Sequence, residues 1–119
     1  MATAPDNTLP LFYKELQPLS SQEHGAWRMR PLEKAPWLAE QHAIPVTVDE
    51  FSSVQRFYPI IFSLGDNPVP LALMGLNEGV NTFIDDEGNT IGESYIPAYV
   101  RRYPYLLARL REDSEELSL

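Results

Sequence analysis

Residues 45–64 of the chain are "PVTVDEFSSVQRFYPIIFSL", and they combine signals for a helix and for a strand. Thr47 is followed three residues later by Glu50, and this spacing is a capping-box pattern in which the two residues satisfy backbone groups at the start of a helix. Apolar residues then recur at helical spacing, at Phe51, Val54 and Phe57 or Tyr58. Pro59 disfavours helical geometry at the residue before it. The stretch therefore predicts one short helix that ends before Pro59.

The segments that follow residue 59 alternate between apolar runs and turn formers. "IIFSL" (60–64) is a continuous apolar run, which is typical of a strand buried on both faces. "PLALMGL" (70–76) predicts a second strand and "NTFID" (81–85) a third, and "DEGN" (86–89) predicts a hairpin turn that leads into "TIGES" (90–94). We therefore expect an α+β fold in which helices flank a small antiparallel sheet of three to four strands.

Prolines divide both ends of the chain into short elements. Pro97 suits the first turn of a helix, and Pro104 interrupts that helix, so the sequence predicts a short helix, a break and a second helix. Residues 1–10 have the composition of a disordered arm. "LFYKELQPL" (11–19) predicts a short strand or an extended segment. An irregular Pro- and Trp-rich region follows, with Trp27, Trp37 and Leu38 expected as buried anchors.

The composition is that of a globular, acidic protein. The net charge is −8, and the chain contains no cysteine, which removes disulfides, thiolate catalysis and cysteine-bound metals. Between residues 57 and 100 there is no Lys or Arg, whereas six carboxylates occur there: Asp66, Glu78, Asp85, Asp86, Glu87 and Glu93. Such a surface repels phosphate backbones, so nucleic acid is not expected as a partner. We also expect no membrane span, because no apolar run approaches the roughly 18 residues that one requires.

Several motifs in the chain resemble the bacterial SapC family, which is named from a surface-layer locus. The matching segments are "LFYKEL" (11–16), "EHGAWRM" (23–29), "PVTVDEF" (45–51), "YPIIFSL" (58–64), "NTFIDDEGN" (81–89) and "YIPAYVRRYPYLLA" (95–108). They occur in the order that the family shows. The resemblance implies a bacterial protein associated with surface layers or with outer-membrane uptake loci. It carries no catalytic residue onto this chain.

Two features depart from the family pattern. Members are usually about twice as long, so residues 11–119 are expected to form a single SapC-like domain that is the N-terminal half of a longer one. A tryptophan commonly follows the acidic turn in the family, and Ile91 stands near that place here. The natural partner of such a half is its C-terminal counterpart or a second copy of the chain, because either could cover apolar surface that the half leaves exposed.

The arginine pair Arg101 and Arg102 is the strongest candidate for a binding site. Tyr95, Tyr99 and Tyr103 recur around it at four-residue spacing. One interpretation is an anion or carboxylate site in which the guanidinium groups bind and Tyr99 and Tyr103 form the wall. The other pairs one arginine with the acidic middle of the chain and leaves the second in solvent. Adjacent helical positions diverge by about 100°, which favours the second interpretation.

Other candidate sites have simpler explanations. The acidic "DDEGN" (85–89) lacks the spacing of a calcium-binding EF-hand loop and is typical of a hairpin turn with a left-handed glycine. His24 and His42 lie too far apart for a zinc motif, and His24 suits a structural hydrogen bond. The chain has no nucleophile-elbow, P-loop or G-x-G-x-x-G pattern. Accordingly, we expect no metal and no cofactor.

Two functions follow from these observations. The first is a non-catalytic interaction or accessory module whose partner is a protein. The alternative is a small-molecule-binding or enzymatic subunit that holds an anionic ligand with Arg101 and Arg102. The first residues, "MATAPDNTLP", show no secretory signal, which is typical of a cytoplasmic protein, although surface association is possible without one.

Overall fold

The computed structural model describes residues 9–31, 33–109, 113 and 115–119. The chain divides into two compact units. Unit 1 combines residues 1–29 with residues 103–119, and unit 2 comprises residues 30–102. Most of the arm predicted at residues 1–10 lies outside the described residues.

The helical segment of unit 2 begins as its capping box predicts. A single 3₁₀ turn, Val48–Glu50, leads directly into helix α2, Phe51–Val54, and the capping box at Thr47 is present. The Tyr58 N–H donates to the Val54 carbonyl at 2.9 Å, so helical hydrogen bonding continues up to the residue before Pro59. The predicted extent of this segment is therefore confirmed.

Unit 2 also contains a three-stranded antiparallel sheet. Its strands are β1 (Ala43–Pro45), β2 (Ile60–Phe62) and β3 (Pro70–Leu73), in the order β1-β3-β2. Ile44 lies opposite Ala72 across β1 and β3, and Ile61 lies opposite Leu71 across β2 and β3. The sequence predicts β2 and β3 but gives no signal for β1, which lies within the Pro-rich region.

The prediction that "IIFSL" is buried on both faces is wrong. Strand β2 is at the edge of the sheet, since β3 is its only neighbour among the described residues. The side chains of Ile61 and Phe62 are exposed, and the Phe62 ring meets the Phe51 ring edge-on with the ring centroids 6.5 Å apart. An apolar run predicts burial only when other elements cover both faces, and here they do not.

The predicted strands "NTFID" and "TIGES" are also not formed. Only one isolated antiparallel bridge, between Ile84 and Thr90, joins them in the described part of the chain. The Asn81 side chain explains the irregular path, because its oxygen accepts the Phe83 N–H at 2.9 Å and its amide donates to the carbonyls of Leu38 and Gln41, both at 3.0 Å. A side chain that takes local backbone partners competes with strand pairing.

The turn at "DDEGN" has the predicted hairpin geometry. Gly88 adopts a φ of 87°, in the left-handed region that favours glycine. Asp85 accepts hydrogen bonds from the backbone N–H groups of Glu87 and Asn89 at 3.0 and 2.8 Å. The Gly88 carbonyl accepts the Ala35 N–H at 2.8 Å, and a Cβ on Gly88 would lie only 2.2 Å from the Pro36 nitrogen. Glycine is therefore required here for both conformation and space.

The largest fully buried side chains all belong to unit 2. They are Tyr58, Leu38, Ile44, Met74, Val54, Val100 and Pro97. Leu38 follows the expectation of a buried anchor and is held in a 3₁₀ turn, Pro36–Leu38. Trp37 in the same turn is half-buried. The hydrophobic core therefore joins the sheet, helix α2 and the segment that precedes β1.

The C-terminal part of the chain differs from the prediction. Helix α3, Ala98–Arg101, follows Pro97 as expected. The prediction of a second helix after Pro104 is wrong. Strands β4 (Ala108–Arg109) and β5 (Leu117–Ser118) pair there as an antiparallel ladder in unit 1. Cross-strand hydrogen bonding satisfies these backbone groups in place of helical bonding. The structure therefore has two small sheets and a few short helices.

Besides the β4–β5 ladder, unit 1 contains one helical turn and several aromatic contacts. Helix α1, Ser21–His24, is capped by the Ser20 side chain, which accepts the Gln22 N–H at 3.2 Å. The Tyr13 hydroxyl donates to the Tyr105 carbonyl at 2.7 Å. The prediction of Trp27 as a buried anchor is wrong, since 67% of its surface is exposed. In the described residues of either unit, no helix has the length and apolar character required to cross a membrane.

Candidate functional site

Arg101 is held by its own neighbourhood in unit 2. Its Nε donates to the Ile96 carbonyl at 3.0 Å, and a terminal nitrogen donates to the Tyr95 hydroxyl, also at 3.0 Å. The centre of the guanidinium group lies 5.5 Å from the centroid of the Tyr95 ring. Because two of its donors are already bonded, this arginine is fixed in orientation while it stays exposed to solvent.

Arg102 uses a different tyrosine. Its guanidinium carbon lies 4.2 Å from the centroid of the Tyr99 ring, within the usual range of a cation–π contact. Tyr103 belongs to unit 1, where its ring packs edge-on against those of Phe12 and Tyr13, with centroids 6.0 and 5.4 Å away. Within unit 2, therefore, the two arginines stack on separate rings, Tyr95 and Tyr99.

The carboxylate that organises this region is Glu50, which is buried with 8% of its surface exposed. One of its oxygens accepts the Tyr95 hydroxyl at 2.9 Å and the Ala98 N–H at 2.6 Å. The other accepts the N–H of Thr47 at 3.1 Å and its hydroxyl at 3.2 Å. One buried carboxylate thus joins the start of the α2 segment to the start of α3.

Burial and hydrogen bonding act in opposite directions on Glu50. Burial acts to raise the pKa of this carboxyl, but the hydrogen bonds from Ala98, Thr47 and Tyr95 outweigh it and hold the pKa below its ordinary value. Burial and the adjacent Glu50 carboxylate raise the pKa of Tyr95. The Glu50 side chain is therefore a charged structural link, and all of its strong hydrogen-bond sites are directed at the protein itself.

Tyr58 supports the same region from the core side. Its hydroxyl donates to the Tyr95 carbonyl at 2.9 Å, and its ring meets that of Phe83 edge-on with centroids 4.6 Å apart. Burial raises the pKa of Tyr58, so this group remains a neutral hydrogen-bond donor. The segment that carries Tyr95 is thus held at its side chain by Glu50 and at its backbone by Tyr58.

The acidic turn is occupied with its own hydrogen bonds. The Asn89 side-chain amide donates to an Asp85 oxygen at 3.0 Å, and this bond together with those from the turn's backbone holds the pKa of Asp85 below its ordinary value. The Glu87 carboxylate forms a salt bridge of 3.3 Å with Lys34. Among the residues that the structure describes, no three His, Asp or Glu side chains gather as metal ligands would.

His24 makes the structural hydrogen bond that the sequence predicts. Its Nδ1 accepts the Ser20 N–H at 2.9 Å, at the start of the helical turn that the histidine ends. Its ring also meets the Trp27 ring edge-on, with centroids 4.4 Å apart. The histidine therefore fixes the position of an exposed tryptophan.

A groove in unit 1 begins at this tryptophan. It has a volume of about 330 Å³, and its wall is mostly apolar, with Leu16, Leu19, Trp27 and Leu106 contributing. Arg109 and Glu15 provide charge at its border. Unit 2 has a smaller cleft of about 180 Å³ beside the acidic turn, which is below the usual size of a small-molecule site.

Comparison with known protein families identifies the chain. Residues 19–119 match the family model described as SapC. The chain belongs to the SapC family. No curated protein and no solved structure gives a significant match. Family membership therefore rests on the sequence pattern alone, and the function of this SapC protein is inferred from its geometry.

Two features of this SapC protein were not predicted from the sequence. The sequence predicts part of the link through Glu50, because the capping box places this carboxylate at the start of a helix. Nothing in the sequence indicates that Tyr95 and Ala98 also donate hydrogen bonds to it. The groove had no signal in the sequence, because its described walls come from two distant parts of the chain, residues 15–19, 24 and 27 and residues 104–106, 108–109 and 118–119. Segments so distant along the chain meet only through tertiary folding.

Proposed function

We propose that this SapC protein is a non-catalytic interaction module, and that the groove of unit 1 is where its protein partner docks. The observation that carries the proposal is the exposed Trp27 at the border of an apolar groove. Tryptophan is enriched among the residues that dominate binding energy at protein interfaces. The adjacent Met29 and the groove residues Leu16 and Leu19 are exposed as well. Together they form the type of apolar surface that marks a docking site.

The partner we propose is the C-terminal half of the longer SapC domain. The resemblance supports this choice, because family members usually extend well beyond the segment equivalent to this chain. Residues 11–119 would then act as the N-terminal half of one domain, and the groove would be part of the surface between the halves. On the basis of the family resemblance, we associate this assembly with surface-layer or outer-membrane uptake loci.

The test is the solution mass of the chain with a separately produced C-terminal half from a longer family member. Light scattering after gel filtration should show a one-to-one complex. Trp27→Ala should weaken the complex by at least about tenfold, which is the effect expected of a dominant interface residue. The matched control is Leu76→Ala, which removes an exposed apolar side chain of unit 2 and should leave binding unchanged. Two separate peaks, or equal effects of the two variants, would exclude the proposed surface.

A second candidate function is the binding of a small anion at Arg101 and Arg102. The exposed, oriented guanidinium groups favour it, since arginine forms strong bonds with carboxylate and phosphate. The separate stacking of the two arginines, on Tyr95 and Tyr99, favours it less than a converging pair would. Calorimetric titration with inorganic phosphate and with succinate tests this function directly. Heat of binding that disappears in both Arg101→Ala and Arg102→Ala would support it, and absence of any binding heat would exclude it.

A further inference from the structure

The three-stranded sheet of unit 2 has two outer edges, and they differ. Strand β1 forms one edge and strand β2 the other, with β3 between them. An edge strand presents backbone N–H and C=O groups that can pair with another chain, and proteins usually block such edges with proline, charge or a bulge. The strand register shows which backbone groups each edge presents.

At the β2 edge, two residues direct their backbone groups away from β3, and both have an N–H that can donate a hydrogen bond. Leu73 donates to the Pro59 carbonyl and Ser63 donates to the Val69 carbonyl, each at 2.9 Å. In an antiparallel pair, bonded and non-bonded positions alternate along the strand. The Ile61–Leu71 pair is therefore bonded within the sheet, and the backbone groups of Ile60 and Phe62 point away from β3. Neither outward residue is a proline.

At the β1 edge, one of the two outward-facing residues cannot donate. Met74 donates to the His42 carbonyl at 2.7 Å, and Val46 donates to the Pro70 carbonyl at 3.0 Å. The same alternation makes Ala43 and Pro45 the outward-facing residues of β1. Pro45 has no N–H, so this edge is blocked by a standard device. In the described part of the chain, no proline occupies an outward-facing position of β2.

The side chains of β2 fit a protein partner. Phe62 is 58% exposed, Ile61 is also exposed, and neither Lys nor Glu interrupts the strand. We propose that β2 is a self-association site, at which a second copy of this chain adds its own β2 antiparallel about a twofold axis. In that register Ile60 lies opposite Phe62 of the second copy, and the two exchange backbone hydrogen bonds. A continuous six-stranded sheet results.

The charges that flank β2 favour a second copy over another extended segment. Arg56 lies in the turn after helix α2, four residues before Ile60, and Asp66 lies in the connection between β2 and β3, four residues after Phe62. Both side chains are exposed. Antiparallel pairing about a twofold axis brings the arginine end of one strand to the aspartate end of the other, twice in each dimer. The surface is thus complementary to itself, which a symmetric dimer requires.

The dimer should be weak, and its dissociation constant should depend on the salt concentration. A three-residue ladder lies at the low end of interface size, so dissociation in the micromolar to millimolar range is expected. Each copy also carries a net charge of −8, and this long-range repulsion is largely screened at physiological ionic strength, where the Debye length is about 8 Å. The inference deepens the proposed function, because it gives the interaction module a second surface in the other unit.

Sedimentation equilibrium of the full chain, with Phe62→Pro compared with Phe62→Ala, tests the backbone ladder. Both variants lose the ring, but only the proline variant loses the outward N–H, so it reproduces at β2 what Pro45 does at β1. We expect the proline variant to dimerise about 30-fold more weakly than the alanine variant, since each dimer loses two ordinary backbone hydrogen bonds. Equal dimerisation of the two variants, or a wild-type chain that stays monomeric at about 1 mM, would overturn the proposal.

Charge reversal provides a second test that leaves the strand itself unchanged. Arg56→Asp and Asp66→Arg should each weaken the dimer several-fold, and the double variant should recover most of the wild-type affinity. A double variant that stays as weak as the singles would mean that the twofold antiparallel arrangement is wrong. Loss of binding to the C-terminal half in Phe62→Pro, with no change in self-association, would assign the edge to that partner and overturn the second-copy proposal. Trp27→Ala should leave dimerisation intact, so the two surfaces fail independently.

Discussion

The two units of this SapC protein differ in how deeply their large apolar side chains are buried. Unit 2 holds all of the largest fully buried side chains, whereas in unit 1 the prominent apolar residues Leu16, Leu19 and Trp27 are exposed. Unit 2 therefore has a core of its own and meets the usual condition for stability. Unit 1 has the composition of a core but leaves much of it on the surface. A unit of this kind gains the most stability when a partner covers its exposed apolar side chains.

Polar contacts differ between the units in the same way. In unit 2, the carboxylate of Glu50 and the amide of Asn81 are buried and hydrogen-bonded to several groups each. Such satisfied networks specify one arrangement of the segments that they join. In unit 1, the Tyr13 hydroxyl donates to the Tyr105 carbonyl, His24 accepts the Ser20 N–H, and the rings of Phe12 and Tyr13 pack against Tyr103. We therefore expect unit 2 to supply most of the stability of the chain, while each unit contributes one of the two proposed interaction surfaces.

The largest expected effect comes from truncation of the unit 2 core. Leu38→Ala removes a side chain with no exposed surface and should lower the free energy of unfolding by about 3 kcal/mol, because it leaves a cavity. Leu16→Ala, the matched change in unit 1 at a side chain that is 44% exposed, should cost less than about 1 kcal/mol. Urea denaturation measures both. Similar losses of unfolding free energy in the two variants would mean that the units do not differ in how strongly their apolar side chains stabilise the fold.

The Glu50 link should make stability depend on pH. Its folded pKa is depressed, so the stability that it adds is fully present above its ordinary value of 4.5 and is lost as the pH falls through the folded value. Glu50→Gln keeps the shape but replaces one acceptor oxygen with an NH2 group that cannot accept, so the hydrogen bonds to that oxygen are lost and those to the remaining oxygen lose their charge. The change should cost about 2 kcal/mol at neutral pH. Urea denaturation from neutral pH down to about pH 3 should show less acid destabilisation in this variant than in the wild type.

The matched control for this experiment is Asp49→Asn, which removes an exposed carboxylate one residue away. It should leave the acid sensitivity of the chain nearly unchanged. If Asp49→Asn and Glu50→Gln flatten the pH dependence equally, the buried link is not its source.

The smallest expected effects are those of the arginine pair. Both side chains are exposed: Arg101→Ala removes hydrogen bonds to Ile96 and Tyr95, and Arg102→Ala removes the contact with the Tyr99 ring. Each variant should change the free energy of unfolding by less than about 1 kcal/mol. Thermal melts should move by only a few degrees. A larger loss in either variant would give that arginine a structural role and extend the stable region of unit 2 into α3.

The sequence predicts local structure well where a pattern depends on neighbouring residues. The Thr47–Glu50 capping box, the end of helical bonding at Pro59 and the left-handed Gly88 all follow from short-range sterics and hydrogen bonding, and all are present. The antiparallel pairing of β2 with β3 also follows, because a tight turn joins two apolar runs. These features need no knowledge of distant residues.

Several predictions that depend on what covers a segment were wrong, although Leu38 is buried as expected. The apolar run of β2 indicates a strand but not its place at an edge, and the apolar residues after Pro104 fit a helix until β5 offers a pairing partner. Trp27 has the chemistry of a core residue, yet no described element covers it fully. The role of the arginine pair as an anion site remains a prediction, since its test lies in binding and not in the fold.

The approach of Gly88 to Ala35 and Pro36 has a consequence for how this protein can vary. The contact joins backbone to backbone, so the exposed side chains of Glu33 and Lys34 can change without releasing the segment, whereas the buried Ala35 has no room for a larger side chain. Position 88 has no such tolerance, because any larger residue would push the segment away. In an evolving lineage, the irregular segment before β1 would therefore drift in sequence while a single glycine, more than fifty residues away, kept its path constant.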